Sequence, residues 1–296
     1  MDKISYRHLP RFDHLESKTV EEACSLLSKH KGKAKVIAGG TDLLPAMRNR
    51  EVTPAYIINV RSIPNLDYIH YTDAEGLKIG ALATLYDIES SPIIREKFAM
   101  VADAAAKIGT PQVRNMGTIG GNLCNAAPSA DTAPPLIGLE AKAKINGPNR
   151  ERVIALEEFF IGPGENALQA DEILTEIQIP NPPPHTRGVY LKLPARTMVD
   201  LAVVGVAVVV TLDDKERSIV DAKIVLGAVA PTPVRARQAE DIIKSKAISR
   251  ELIEKAAEAA AGEAKPISDL RGSASYRKEM VNTLTKRAIR QVTALA

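Results

Sequence analysis

The sequence predicts an α+β protein built in two successive parts. Three observations lead there. The opening stretch alternates strand, helix and strand, and the residues up to 180 are rich in strands. Beyond a run of prolines the strands come first and the helices after. With 296 residues, 45% hydrophobic and 25% charged, the chain can bury the core of one large domain or of two to three smaller ones.

Thr19-Val20-Glu21-Glu22 reads as a capping box that starts a helix. Ala23, Leu26 and Leu27 give that helix its apolar stripe to about His30, and Gly32 ends it. Lys35 to Ala38 reads as a buried strand running into Gly39-Gly40-Thr41-Asp42. A short helix from Leu43 and a strand over Tyr56–Val60 complete a unit of about sixty residues, small enough that it should pack on the neighbouring segment of chain. Strands are expected at Leu77–Ala81, Ala141–Ile145, Arg152–Leu156 and Ile173–Ile179, with a helix over Ile93–Ile108. Between them, Gly109 to Asp131 shows little helical or strand pattern, and so long a stretch tends to be functional. Pro180-Asn181-Pro182-Pro183-Pro184 reads as a semi-rigid linker. Strands at Val189–Leu193, Ala202–Leu212 and Ala222–Ala228 come next, then helices at Arg237–Lys244, Arg250–Gly262 and Tyr276–Leu295. The expected division is 1–180, in lobes of about 1–60 and 61–180, and 186–296.

Composition narrows the function. Lys plus Arg is 39 against 36 Asp plus Glu, and aromatics are 4% with no Trp, which argues against nucleic-acid binding. Cys24 and Cys124 are too few for an iron–sulfur cluster or a four-cysteine zinc site; one disulfide is permitted. His8, His14, His30, His70 and His185 show no metal spacing. Met1 to Arg7 has no apolar signal, and the apolar run Leu201–Leu212 is too short to span a bilayer, so a soluble, cytoplasmic protein is expected. Asp213-Asp214 reads as a hairpin turn rather than a catalytic pair, and no Ser-His-Asp set can be argued. On the last helix, Met280, Leu284, Ala288 and Val292 should pack inward. Arg277, Lys278, Lys286, Arg287 and Arg290 form either a solvated face or a docking face for an acidic partner.

Two Gly-Gly sites carry the chemistry: Val36-Ile37-Ala38-Gly39-Gly40-Thr41-Asp42-Leu43 and Gly117-Thr118-Ile119-Gly120-Gly121-Asn122-Leu123. Paired glycines permit unusual backbone and close ligand approach, and successive amides in such a turn form an anion-binding nest. A helix starting at Leu43 would add its positive end. Two nests facing one another would suit a diphosphate; the plain alternative is two tight turns. Neither the dinucleotide fingerprint nor the P-loop is present.

The strings Ala38-Gly39-Gly40-Thr41-Asp42, Val113-Arg114-Asn115-Met116-Gly117-Thr118-Ile119-Gly120-Gly121-Asn122 and Ala127-Pro128-Ser129-Ala130-Asp131 closely resemble the FAD-binding medium subunit of molybdenum hydroxylases. That family includes the flavoproteins of xanthine dehydrogenase and carbon monoxide dehydrogenase. The likeness spans essentially the whole chain, through Asp171 to Ile177 and Tyr190-Leu191-Lys192-Leu193. It implies a PCMH-type FAD-binding domain, shared with vanillyl-alcohol oxidases and MurB, in two α/β lobes. It implies after that a C-terminal α+β domain of the CO dehydrogenase flavoprotein type. It also implies that both loops hold the diphosphate and that Asp131 bonds the ribityl chain. Ile108, Gly109 and Thr110 would lie beside the cofactor, Leu174 against a ring and Lys192 near the flavin. Read without the resemblance, Asp131 is equally a helix cap, Leu174 core and Lys192 a solvent-facing strand residue.

The resemblance implies an electron-transfer subunit with noncovalent FAD and no catalytic side chain of its own. Partners would be a large molybdopterin subunit and a small subunit with two-iron, two-sulfur clusters, as a dimer of heterotrimers. NAD, ferredoxin or another carrier would be the acceptor. The alternatives are a stand-alone MurB-like flavin oxidoreductase and a non-enzymatic nucleotide-binding scaffold. Some relatives insert extra cysteines for a four-iron cluster, which this chain lacks. Cys124, near the second loop, is either a reactive thiol or a small buried residue.

Overall fold

The computed structural model describes residues 8–196 and 200–294. Met1–Arg7, with the expected absence of a signal, and Leu295, the expected end of the last helix, lie outside the described residues. The α+β class holds.

The opening unit is a three-stranded parallel sheet in the order Asp13–Glu16, Tyr56–Asn59, Ala34–Ile37. Helix Val20–Lys29 buries Ala23, Cys24 and Leu27. Thr19 accepts from the Glu22 amide as the capping box requires, but the Glu22 carboxylate takes the Lys18 amide instead of the cap's own.

Next comes a five-stranded antiparallel sheet in the order Ile69–Thr72, Gly76–Gly80, Ile173–Ile179, Lys142–Gly147, Arg150–Ala155. The chain leaves it after Gly80, forms six short helices between Leu85 and Gly138, and returns at Lys142. Two expectations are corrected here. The single helix over Ile93–Ile108 is two, Pro92–Lys97 and Ala99–Ala106, broken where Phe98 leaves helical backbone (φ −136°) with its ring buried. The patternless stretch Gly109–Asp131 contains helices Pro111–Arg114 and Ile119–Cys124, too short for a 3.6-residue period to show.

The last sheet is antiparallel, in the order Thr186–Pro194, Ala202–Leu212, Ser218–Gly227, Val234–Arg235. Its long central strand serves two cores. Val204, Val206, Val208 and Val210 pack with the helices Arg237–Ile243, Arg250–Glu263 and Ala274–Thr293. Ala207 and Val209 join the core of the first part, against Ala99–Ala106 and Ala133–Gly138. Glycines make the fit close on this second face. A Cβ on Gly188 would sit 2.5 Å from Met100 Sδ, and one on Gly227 2.8 Å from Pro134 Cγ. Leu284, Ala288 and Val292 are buried as expected and Met280 is half-buried. Arg277, expected on the basic face, points inward to Asp269 and the Val203 and Ala228 carbonyls. No helix of the described residues is long and apolar enough to cross a membrane.

Candidate functional site

The first glycine loop lies between the strand Ala34–Ile37 and the helix Leu43–Arg48. Val36 and Ala38 pack under it on the small core of the opening unit, and Ile37 ends the strand. Gly40 has φ +72°, in the left-handed region. The main chain at Gly39 lies so close on the Met116 carbonyl that any Cβ would collide with it. Among the described residues, nothing accepts from the amides of Gly39, Gly40, Thr41, Asp42 or Leu43. Five consecutive donors without a protein acceptor at the start of a helix are groups of the kind an anion can take. Loss of surrounding water raises the Asp42 carboxyl above its ordinary range, although the residue reaches the surface.

The second Gly-Gly site departs from the expected nest. Its residues open the helix Ile119–Cys124, capped by Thr118. The Ile119 and Gly120 amides donate to the Ala83 and Ala81 carbonyls. The Gly121 and Asn122 amides donate to the Thr118 hydroxyl and carbonyl. All four donors are taken, and of this group only the Thr118 N–H has no acceptor among the described residues. Two facing nests of free amides are therefore not present: the first loop has the open donors, and the segment Met116–Gly117 that leads into the closed helix start packs against it. The glycines have separate jobs. Gly120 lets the helix approach Ala81, where a Cβ would come within 2.7 Å of both Cβ and carbonyl oxygen. Gly121 is exposed, and a Cβ there would meet nothing nearer than Thr118 Oγ1 at 3.0 Å. The Asn122 side-chain oxygen accepts from the Thr132 hydroxyl at 2.5 Å.

Asp131 is buried and caps no helix; both oxygens accept from the C-terminal sheet. Tyr190 Oη donates to one at 2.7 Å and Lys192 Nζ to the other at 2.7 Å. The Lys192 side chain is 6% exposed, so the surface reading of that lysine is also corrected. Lys192 Nζ donates further to the Lys107 carbonyl at 2.9 Å, and Lys107 Nζ returns a bond to the Tyr190 carbonyl at 2.8 Å. A Cβ on Gly205 would come within 2.6 Å of the Tyr190 hydroxyl, so that glycine makes room for the ring. Burial pushes the Asp131 carboxyl up, opposed by the Lys192 ammonium. It drives the Tyr190 phenol well up, with Asp131 adding to the effect, and it lowers Lys107.

Ile108, Gly109 and Thr110 follow Lys107, whose carbonyl takes Lys192 Nζ, so this turn starts next to that lysine. Gly109 has φ +50°, and Thr110 caps the next short helix. Arg114 braces this turn from the other side. Its guanidinium donates to the Ile108 and Gly109 carbonyls at 3.2 Å each and to Glu89 at 2.6 Å. Leu174 is 4% exposed, within the main core. Cys24 and Cys124 are both free, and burial pushes the Cys124 thiol up to about 12, far from a reactive thiolate. Lys107 and Glu89 carry no sequence signal that singles them out, and Arg114 stands in a family-like string without an assigned role. Tyr190 stands in a family-like string without an assigned role, although its spacing of two from Lys192 puts both on one face of a strand.

Comparison with known proteins agrees with this architecture. Residues 10–182 match the FAD binding domain in molybdopterin dehydrogenase, and residues 189–292 match the CO dehydrogenase flavoprotein C-terminal domain. The chain is 36% identical to the carbon monoxide dehydrogenase medium chain of Hydrogenophaga pseudoflava, covering 95% of this chain and 96% of that one. It is 31% identical to a putative xanthine dehydrogenase FAD-binding subunit of Escherichia coli K12, covering 94% of each. A solved structure of the Hydrogenophaga pseudoflava carbon monoxide dehydrogenase, in a form lacking the Mo-pyranopterin moiety, superposes with a TM-score of 0.93 at 36% identity, over 97% of this chain and 99% of that one. The chain therefore belongs to the FAD-binding medium subunits of the molybdenum hydroxylases, the oxidoreductase family of the xanthine and carbon monoxide dehydrogenases.

Proposed function

We propose that the chain holds one noncovalent FAD and passes electrons between two-iron, two-sulfur clusters on a small partner subunit and an external carrier such as NAD or ferredoxin. The organic substrate would react on a large molybdopterin subunit, the three chains pairing as a dimer of heterotrimers. The FAD unit would occupy residues 1–180 and the closing flavoprotein unit 186–296. The observation that carries the reading is the run of unpaired amides from Gly39 to Leu43. Their open N–H groups suit a diphosphate, with the Thr118 N–H and the Thr41 hydroxyl as further donors.

In this reading Val36, Ile37 and Ala38 support the cradle, and Gly120, Gly121 and Asn122 with Ile119 form its opposite rim. Asp131 would accept from ribityl hydroxyls through lone pairs that Tyr190 and Lys192 leave over. Ile108, Gly109, Thr110 and Leu174 would border the ring, and Lys192 would favour negative charge there. Bound flavin supplies the redox chemistry, taking single electrons and passing on a hydride. The protein needs no general base; it binds, orients and sets charge.

Gly121→Glu tests the cradle. The position is exposed and a Cβ there would press only on the Thr118 hydroxyl at 3.0 Å, so the fold should survive by circular dichroism while the assembled complex loses its yellow colour. Full FAD occupancy in that variant would refute the diphosphate placement.

A further inference from the structure

We infer that Lys107 is a positioning and charge-setting residue for the flavin, its half-buried ammonium adding one positive charge beyond what Asp131 neutralises in the wall of the site. The inference rests on the flavin reading proposed for this chain.

Three charged groups meet where the C-terminal strand Thr186–Pro194 crosses the end of helix Ala99–Ala106. Lys192 and Asp131 neutralise each other at 2.7 Å. Lys107 makes no ion pair among the described residues. Its ammonium is held by neutral partners only, the Tyr190 carbonyl at 2.8 Å and the Tyr190 ring, 5.1 Å from the ring centroid. Asp103, one helical turn earlier, is exposed and screened by solvent. An ammonium kept partly desolvated without a counter-charge is costly, and one carbonyl and a ring face offset that cost only in part. What it supplies is a fixed positive potential beside Ile108–Thr110, which a group gaining negative charge on reduction would feel.

The lysine also crosses two bonds. Lys107 Nζ bonds the carbonyl of Tyr190, and the carbonyl of Lys107 takes Lys192 Nζ. Only the first is lost when the side chain is replaced. The main-chain bond that positions Lys192 stays, so charge and geometry can be separated.

The experiment compares Lys107→Met, Lys107→Gln and Lys107→Arg in the FAD-loaded full chain or complex, equilibrated with a redox dye at one fixed potential. Loss of the charge should lower the reduced-to-oxidised flavin ratio on the order of tenfold. Lys107→Arg should restore it, and FAD should stay at one per chain. A merely structural lysine would move flavin content and melting point but not this ratio. If Lys107→Met sheds its flavin, Lys107→Gln, which still donates to the Tyr190 carbonyl, carries the same expectation. An FAD-loaded uncharged variant with an unchanged ratio overturns the inference alone. A wild-type complex free of FAD overturns the flavin reading and the inference with it.

Discussion

Four glycines that look alike in the sequence act through different physics. Gly40 supplies a left-handed backbone, Gly39 and Gly120 permit close approach of two main chains, and Gly121 leaves space open to solvent. Only the last can be enlarged without disturbing the fold, which is why it is the useful probe of ligand binding. The buried pair Asp131–Lys192 shows a second residue-scale effect. Removing one member strands the other in a site where both side chains are under a tenth exposed. Lys192→Met should therefore destabilise the protein by roughly 3–5 kcal/mol, and adding Asp131→Asn should recover part of that loss. Urea midpoints of the two single variants and the double variant measure it. Strictly additive losses would show that the pair is not coupled.

At the scale of elements, the edge of the antiparallel sheet is tied by charge. Arg150 and Arg152, on the strand Arg150–Ala155, both donate to Glu172 just before the strand Ile173–Ile179. Burial alone would raise the Glu172 carboxyl, but both guanidinium groups and the Gln169 amide outweigh it and bring it from 4.5 down to about 2. A carboxyl depressed in the folded state stabilises above its unfolded pKa and loses that contribution as pH falls through the folded one. Stability should thus fade between about pH 4.5 and 2, and Glu172→Gln should flatten this part of the acid limb in urea titrations against pH. Long elements with a clear period, such as Ala202–Leu212 and Arg250–Glu263, were legible in the sequence. Short helices were not, because four to six residues hold too little of a period. The helix Leu85–Ser90 nevertheless carried a readable sign, the capping box of Thr84 and Asp87. At the site, the sequence pointed to the two glycine strings but could not say which amides are free. That depends on Ala81 and Ala83, whose carbonyls occupy the second glycine site from a distant segment.

For the whole molecule, the decisive fact is that the two parts share a core. Tyr190, Ala207, Val209 and Val225 belong to the same buried cluster as Leu77, Phe98 and Leu136. The helix Ala133–Gly138 is buried along its entire length, partly under the C-terminal sheet. A chain cut after Pro182 should expose that helix, bind a hydrophobic dye and self-associate in sedimentation. A monomeric fragment with a sharp melting transition would contradict the shared core. The glycines of the C-terminal sheet give this seam a further consequence. Met100 and Pro134 seat in the hollows at Gly188 and Gly227, like pegs in a jig. An extra methyl at Gly188 would work as a shim, tilting the strand that carries Lys192 away from its counterpart. Compatible changes along the seam must therefore arrive in matched pairs, one peg trimmed for every hollow filled.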